Sequence, residues 1–353
     1  MAHEWKIAFA WPGLPEYASR CIRAAIDRNL AAISVVATRP GIPLEDVEKS
    51  LGQPVTWIDG DRDDLSWSSL ELDMPDILFA GGYATPAFNR LAQQVRQGGG
   101  HVILMADNNW PCSIGERALT PLRHRIMRRR SYDGIFVPGK SGRQLARRCG
   151  YAEDVIWGGL YGADPALFHG GLPLSQRPKT LIYAGQFIER KNVLGLVEAF
   201  CRFSETHPDW QLVLCGTGPL EDRIKPHPQI SRRRFVQPAG LAELMRHSRC
   251  LVLPSSREHW GLVVHEAALS GCALVLSDRI GAAADLATLT NTRIHPAGKT
   301  GAILLNLEEL ASWSDDAWRE AEHASRRLAE NFGPEIFAAG VEAMVKHFAE
   351  RKS

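Results

Sequence analysis

Cys250-Leu-Val-Leu-Pro254-Ser-Ser-Arg-Glu258-His-Trp-Gly-Leu-Val-Val-His-Glu266 is the stretch from which the rest of this chain can be read. Its apolar start reads as a buried strand and Leu262 to Leu269 as a helix, so Glu258 and Gly261 fall in the loop between them. A strand, a tight loop and a helix in that order are the unit of a parallel α/β sheet. The loop aims unpaired backbone N–H groups at an anion, Gly261 lets the backbone come close, and Glu266 one turn into the helix can accept hydrogen bonds from sugar hydroxyls. A sugar nucleotide suits such a site. The same residues also fit a capped helix with two solvated glutamates.

Outward from this segment the plan repeats. Short apolar runs recur at Lys6 to Ala10, Ile33 to Ala37, Val55 to Ile58, Ile77 to Ala80, Val102 to Ala106, Ile135 to Val137 and Val155 to Trp157, with helical stretches between them. A glycine- and proline-punctuated stretch from Trp157 to Pro178 suits an interdomain connection. A second series follows at Thr180 to Ala184, Gln211 to Cys215, Arg234 to Gln237, Cys250 to Leu253, Ala273 to Leu276 and Ala302 to Leu305, with helices near Val193 to Glu205 and Leu241 to His247. Gly333-Pro334 opens a last helix with Phe337, Val341, Met344, Val345 and Phe348 on one face. At 353 residues, a prior of roughly 150 residues per domain gives two α/β domains.

Composition narrows the function classes. With 41 basic and 40 acidic residues the formal charge is +1, which provides no global field for nucleic acid. No run approaches the roughly 18 consecutive apolar residues that cross a bilayer. The start, Met1 to Trp11, reads as a first strand rather than a signal peptide, which predicts cytoplasmic residence. The seven cysteines are scattered without a C-x-x-C pair and read as reduced core residues. The twelve histidines show no metal-ligand spacing, so no metal is expected.

Open α/β sheets bind ligands beyond the carboxyl ends of their strands. Two such domains facing each other would form a cleft. Gly185-Gln-Phe-Ile-Glu-Arg-Lys191-Asn places a glycine turn and then cations after the strand ending at Ala184, reading either as a phosphate contact or as a lysine on a solvated helix start. Gly216-Thr-Gly218-Pro follows another strand. It lacks the third glycine of a dinucleotide fingerprint and reads as a tight turn lining the cleft.

Taken in order, Tyr183-Ala-Gly-Gln with Lys191-Asn, Leu214-Cys-Gly-Thr-Gly-Pro, Leu253-Pro-Ser-Ser-Arg-Glu-His-Trp-Gly and the Glu258 to Glu266 spacing resemble glycosyltransferase family 4, whose members are retaining enzymes of the GT-B fold. The likeness is specific from about Gly159 to Asp285, including Gly162-Ala-Asp-Pro-Ala-Leu-Phe168, and is one of general plan before that. It implies two Rossmann-like doubly wound domains facing across a cleft. Residues 1–160 would bind the acceptor, residues 161–335 a nucleotide-diphosphate sugar, and a helix at 336–353 would cross back to the first domain. By position, Glu266 would hold the ribose hydroxyls and Glu258 the transferred sugar, with Trp260 a further donor-binding residue. Gly261, Leu262 and Val263 would offer backbone N–H groups, and Lys191 would neutralise the diphosphate. Gly185, Gln186, Arg190, Gly216 and Gly218 complete the expected donor site. Glu258 and Lys191 are the expected catalytic pair, and no cofactor is implied beyond the donor substrate.

Three positions depart from the family pattern. Gln186 stands where an arginine is common, with Arg190 a nearby replacement for its charge. Asp107-Asn108 stands where many members carry a histidine; Asp107 either binds donor sugar or acceptor, or caps a turn. The amino-terminal glycine pair is reduced to Gly13, which either approaches the donor phosphates or serves a plain turn.

Between Arg117 and Arg130 the chain carries seven basic side chains counting His124 and no acid. That run reads either as a contact for anionic headgroups, docking the protein peripherally on the inner face of the cytoplasmic membrane, or as a solvated helix. The resemblance thus implies transfer of a sugar from a nucleotide sugar to a glycan or lipid-linked saccharide, in assembly of bacterial surface polysaccharide such as lipopolysaccharide. A sugar-nucleotide epimerase of the same architecture and a transferase-like binding subunit are the rival readings. No nucleic-acid partner is expected, because no aromatic stacking residues accompany the arginines.

Overall fold

The computed structural model describes residues 5–41, 47–82, 84–108, 122 and 131–352. The chain divides into two compact units, Met1–Gly162 with Phe332–Ser353, and Ala163–Asn331. The first unit holds β1 (Lys6–Trp11), β2 (Ala32–Ala37), β3 (Thr56–Trp57), β4 (Ile77–Gly81), β5 (His101–Met105), β6 (Gly134–Val137) and β7 (Ile156–Gly158). The second holds β8 (Thr180–Ala184), β9 (Gln211–Cys215), β10 (Ile230–Arg233), β11 (Cys250–Leu253), β12 (Ala273–Ser277) and β13 (Thr292–His295).

All pairings within the two sheets are parallel, in the orders β3-β2-β1-β4-β5-β6-β7 and β10-β9-β8-β11-β12-β13. The doubly wound plan expected from the alternating apolar runs is therefore present twice. In each sheet the order reverses between its first and fourth strands, β1 and β4 in one and β8 and β11 in the other. A loop leaving either member of such a pair opens onto the crevice where α/β sheets take ligands.

Central strands are apolar because helices cover both of their faces. β4 is buried along its whole length, as are β11 and β12. Phe9 of β1 pairs in register with Phe79 of β4, and their rings stack at 4.8 Å. The last helix, Pro334–Lys352, belongs to the first unit, where its apolar stripe is buried. Phe337 meets Phe9 at 5.7 Å and Phe136 at 5.4 Å, and Phe348 stacks on His101 at 4.1 Å. No helix among the described residues is long and apolar enough to cross a membrane.

Two expected strands are corrected. Ala302 to Leu305 lies inside the helix Thr300–Ala311, where Ile303, Leu307 and Leu310 share the buried face and Leu305 points out. The strand assigned to that region is β13, about ten residues earlier, a sheet edge whose Thr-Arg-Ile-His composition hides its nature. Arg234 to Gln237 likewise follows a strand rather than forming one. β10 begins at Ile230 and is the opposite edge, with three of its four residues exposed. Edge strands keep charged residues because only one side is paired.

One buried charge organises the second unit. The Arg177 side chain is fully buried and donates from Nε to Leu172 O at 2.8 Å, from Nη1 to Ser248 O at 3.1 Å and from Nη2 to Ser270 O at 2.8 Å. Ser270 follows the helix Leu262–Leu269, so the guanidinium sits at that helix's negative end. Glu322 lies 3.7 Å away and also accepts from Leu174 N at 2.8 Å. Replacing Arg177 with Met leaves these carbonyls without their donor and removes the cation beside the Glu322 carboxylate. We expect Arg177→Met to lose about 3 to 5 kcal/mol in denaturant titration; a loss below about 1 kcal/mol would show that the interior accommodates the change.

Candidate active site

The loops after β8 and β11 form one structure at the reversal point of the second sheet. Residues Glu189–Lys191 make a single 3-10 turn, and Asn192, in the left-handed region at φ 53°, turns the chain into the helix Val193–Thr206. Arg190 O accepts from Ser256 N at 2.8 Å and from Ser256 Oγ at 3.1 Å, while Arg190 Nη1 donates to Arg257 O at 2.6 Å. The two loops are thus joined along their backbones. Lys191 Nζ then donates to Glu258 Oε2, and Arg190 Nη1 lies 3.5 Å from the same oxygen. The Lys191 and Glu258 side chains are only 12% and 13% exposed.

Beside this cluster, Gly261 caps the helix Leu262–Leu269 at φ 90° and, being glycine, brings no capping side chain of its own. A β-carbon there would be strained by that φ and would press on Glu258 Cγ at 3.1 Å. Gly261, Leu262, Val263 and Glu266 are partly exposed, whereas Val264, His265, Ala267 and Ala268 are buried. One face of the helix start therefore remains open beside Lys191, with its first backbone N–H groups and macrodipole favouring negative charge. A diphosphate fits this combination.

Behind it, the Gly216-Thr-Gly218 turn supports the loop after β8. Phe187 N donates to Thr217 O at 2.8 Å, and a β-carbon on Gly216 would lie 2.0 Å from Gly185 O. The glycine is required by that close approach. Tyr183 OH donates to Gln186 O at 2.8 Å, fixing the same turn from below. Burial, reinforced by the Glu258 charge, pushes the Tyr183 phenol above its ordinary range, so it remains a donor. Gln186 itself is exposed.

The structure brings Gly185, Gln186, Arg190, Lys191, Gly216, Gly218, Glu258, Gly261, Leu262, Val263 and Glu266 into the two loops after β8 and β11, the turn after β9 and the helix start. Trp260 lies in the same loop, its side chain fully buried and its ring 5.7 Å from the His265 ring. Gly13, Asp107 and Asn108 belong to the first unit. Gly13 follows β1 and gives its N–H to Thr38 Oγ1 at 2.8 Å, while Asp107 follows β5 and accepts from Tyr161 OH at 3.4 Å. The basic residues between Arg117 and Arg130 lie outside the described residues. No group of three or more His, Cys, Asp or Glu side chains suited to a metal ion occurs among the described residues.

His265 carries no assigned role from the sequence, its spacing of six from His259 being unsuited to a shared helical face. It is fully buried one residue before Glu266, its Nδ1 accepts from Ala163 N at 2.9 Å, and its Nε2 lies 2.9 Å from Ala329 O. The only sequence signal was a histidine on the apolar side of a helix.

Two parallel sheets, each reversing beside its first strand, define an α/β protein of GT-B-like fold. Residues 168–302 match the model of the family "Glycosyl transferases group 1". A glycogen synthase from Mycobacterium tuberculosis is 31% identical over 174 residues, covering 45% of this chain and 41% of that protein. The match therefore spans less than half the length of that relative. Among solved structures, the sucrose-phosphate synthase from Thermosynechococcus elongatus aligns with a TM-score of 0.72 at 14% identity, covering 98% of this chain and 99% of the other. Anabaena HepE, in complex with UDP and glucose, aligns with a TM-score of 0.75 at 12% identity, covering 98% and 100%. At such identities these structures establish the fold alone.

The buried imidazole makes stability depend on pH. Burial lowers the His265 pKa from 6.5 to about 4, so the folded protein holds it neutral while an unfolded chain would protonate it. Its contribution is complete above about pH 6.5 and is lost as pH falls towards 4, reaching roughly 3 kcal/mol. We expect His265→Phe to show a shallower fall of Tm between pH 6.5 and 4 than the parent; equal slopes would contradict a neutral buried His265.

Proposed function

We propose that this protein is a retaining glycosyltransferase, using a nucleotide-diphosphate sugar as donor and a glycan or lipid-linked saccharide as acceptor. The observation that carries the reading is the Lys191–Glu258 pair beside the Gly261-capped helix, at the reversal point of the second sheet. Lys191, Arg190 and the helix start would meet the diphosphate, Glu266 the ribose hydroxyls and Glu258 the transferred sugar. The second unit would thus hold the donor, and the first, with Asp107 and Asn108, the acceptor. The binding of UDP and glucose by HepE makes UDP the first nucleotide to try.

In the reaction the bond between the sugar's anomeric carbon and the phosphate oxygen breaks, and a bond to the acceptor oxygen forms on the same face. The acceptor's proton passes to the departing phosphate oxygen. The main catalytic task is to stabilise charge building on that phosphate, which a fixed cation and aimed backbone dipoles do without reorganising. We propose that no metal is essential, because those charges are already in place. On charge pattern alone, Arg117 to Arg130 would rest on anionic headgroups at the cytoplasmic face of the membrane and present a lipid-linked acceptor for bacterial surface polysaccharide.

The test is thermal stabilisation across UDP, ADP, GDP and their sugars with EDTA present, followed by product analysis. A matching nucleotide at about 100 times its Kd contributes about 2.7 kcal/mol, a shift of several degrees. We expect one base to stabilise the parent, Glu266→Ala to abolish the shift, and transfer to persist in EDTA. Stabilisation without transfer to any acceptor would favour a binding subunit. Conversion of the nucleotide sugar without acceptor would favour an epimerase.

A further inference from the structure

The chain passes between its two units twice, at Gly162–Ala163 and at Asn331–Phe332. Both passages are tied to one side chain. His265 Nδ1 accepts from Ala163 N, the first residue of the second unit, and Nε2 donates to Ala329 O, two residues before its last. The ring is fully buried, and its two hydrogen bonds fix the tautomer with the proton on Nε2. A leucine in that place would satisfy packing but leave the Ala163 N–H unpaired. Two polar bonds to two backbone segments far apart in sequence go beyond what filling the core requires.

The helix carrying His265 is the one whose open start and Glu266 line the donor site. The first passage is held on its other side too. Tyr161 OH donates to Asp107 Oδ2 at 3.4 Å and stands 5.2 Å from the Tyr17 ring, while Gly162 O accepts from Cys21 Sγ at 3.6 Å. Tyr161, Gly162 and Ala163 are consecutive, so a short stretch of backbone is bonded to Asp107 through one residue and to the donor helix through another.

We propose that His265 is a positioning residue that transmits occupancy of the donor site to both passages of the chain. The inference rests on the donor-site reading above. A shift of the helix on nucleotide binding carries the rigid imidazole with it, and the ring cannot move without drawing on Ala163 and Ala329 together. Burial holds the ring neutral, which preserves one accepting and one donating nitrogen.

Hydrogen–deuterium exchange on the full chain, with and without saturating UDP, ADP or GDP, tests this. In the parent, nucleotide should slow exchange in residues 258–266 and, by at least about fivefold, in 160–165 and 328–333. In His265→Phe the first effect should persist and the other two vanish, and His265→Gln, which keeps an acceptor and a donor, should restore them. Slowing at the passages in His265→Phe, or none there in a parent whose 258–266 segment responds, overturns the inference and leaves the donor site standing. No response at 258–266 to any of the three nucleotides overturns the donor reading and this inference with it. If the phenylalanine chain does not fold, His265→Asn, whose shorter amide cannot span both partners, replaces it with the same expected outcomes.

Discussion

The Lys191–Glu258 ion pair is the contact on which the candidate site depends. It joins the loop after β8 to the loop after β11, the two strands between which the second sheet reverses its order. A mostly buried ammonium or carboxylate alone would be costly to desolvate, so each residue offsets the other's burial and fixes its orientation. Arg190 adds a second cation within 3.5 Å of the same carboxylate oxygen. The cluster therefore carries surplus positive charge, and an anion can share the cations without leaving Glu258 unsatisfied.

The surrounding structure serves that arrangement. Gly216 and Gly218 allow the loop after β9 to press against Gly185 and Phe187, and the Tyr183 phenol holds the Gln186 carbonyl. Arg177 binds the carbonyl that follows the helix Leu262–Leu269, while Gly261 leaves the helix start without a capping side chain of its own. One end of that helix is fixed by a buried cation and the other remains available to a ligand. His265, between them, extends the same helix's influence to the ends of the unit.

Much of this was legible because interior strands and tight loops leave strong marks in a sequence. Cys250–Leu253 is an apolar run since both faces of β11 are covered, and Gly261 marked the turn since other residues resist its φ. The terminal helix announced itself through Phe337, Val341, Met344 and Phe348. Edge strands left no such mark: β10 and β13 are rich in solvated residues, and Ala302 to Leu305 mimicked a strand because a short apolar run has no readable period. His265 and Arg177 were hidden for a different reason. A helical histidine looks like filler until burial and hydrogen-bond partners are known, and Arg177 gave no sign that its charge lies inside.

The most direct measurement compares, by calorimetry, a nucleoside diphosphate with its nucleoside, in the parent and in Lys191→Met. If the cation cluster and helix start form a diphosphate site, the preference for the diphosphate should fall by about tenfold or more, equivalent to about 1.4 kcal/mol, while nucleoside affinity stays level. An unchanged preference would contradict the account and place any nucleotide phosphates elsewhere.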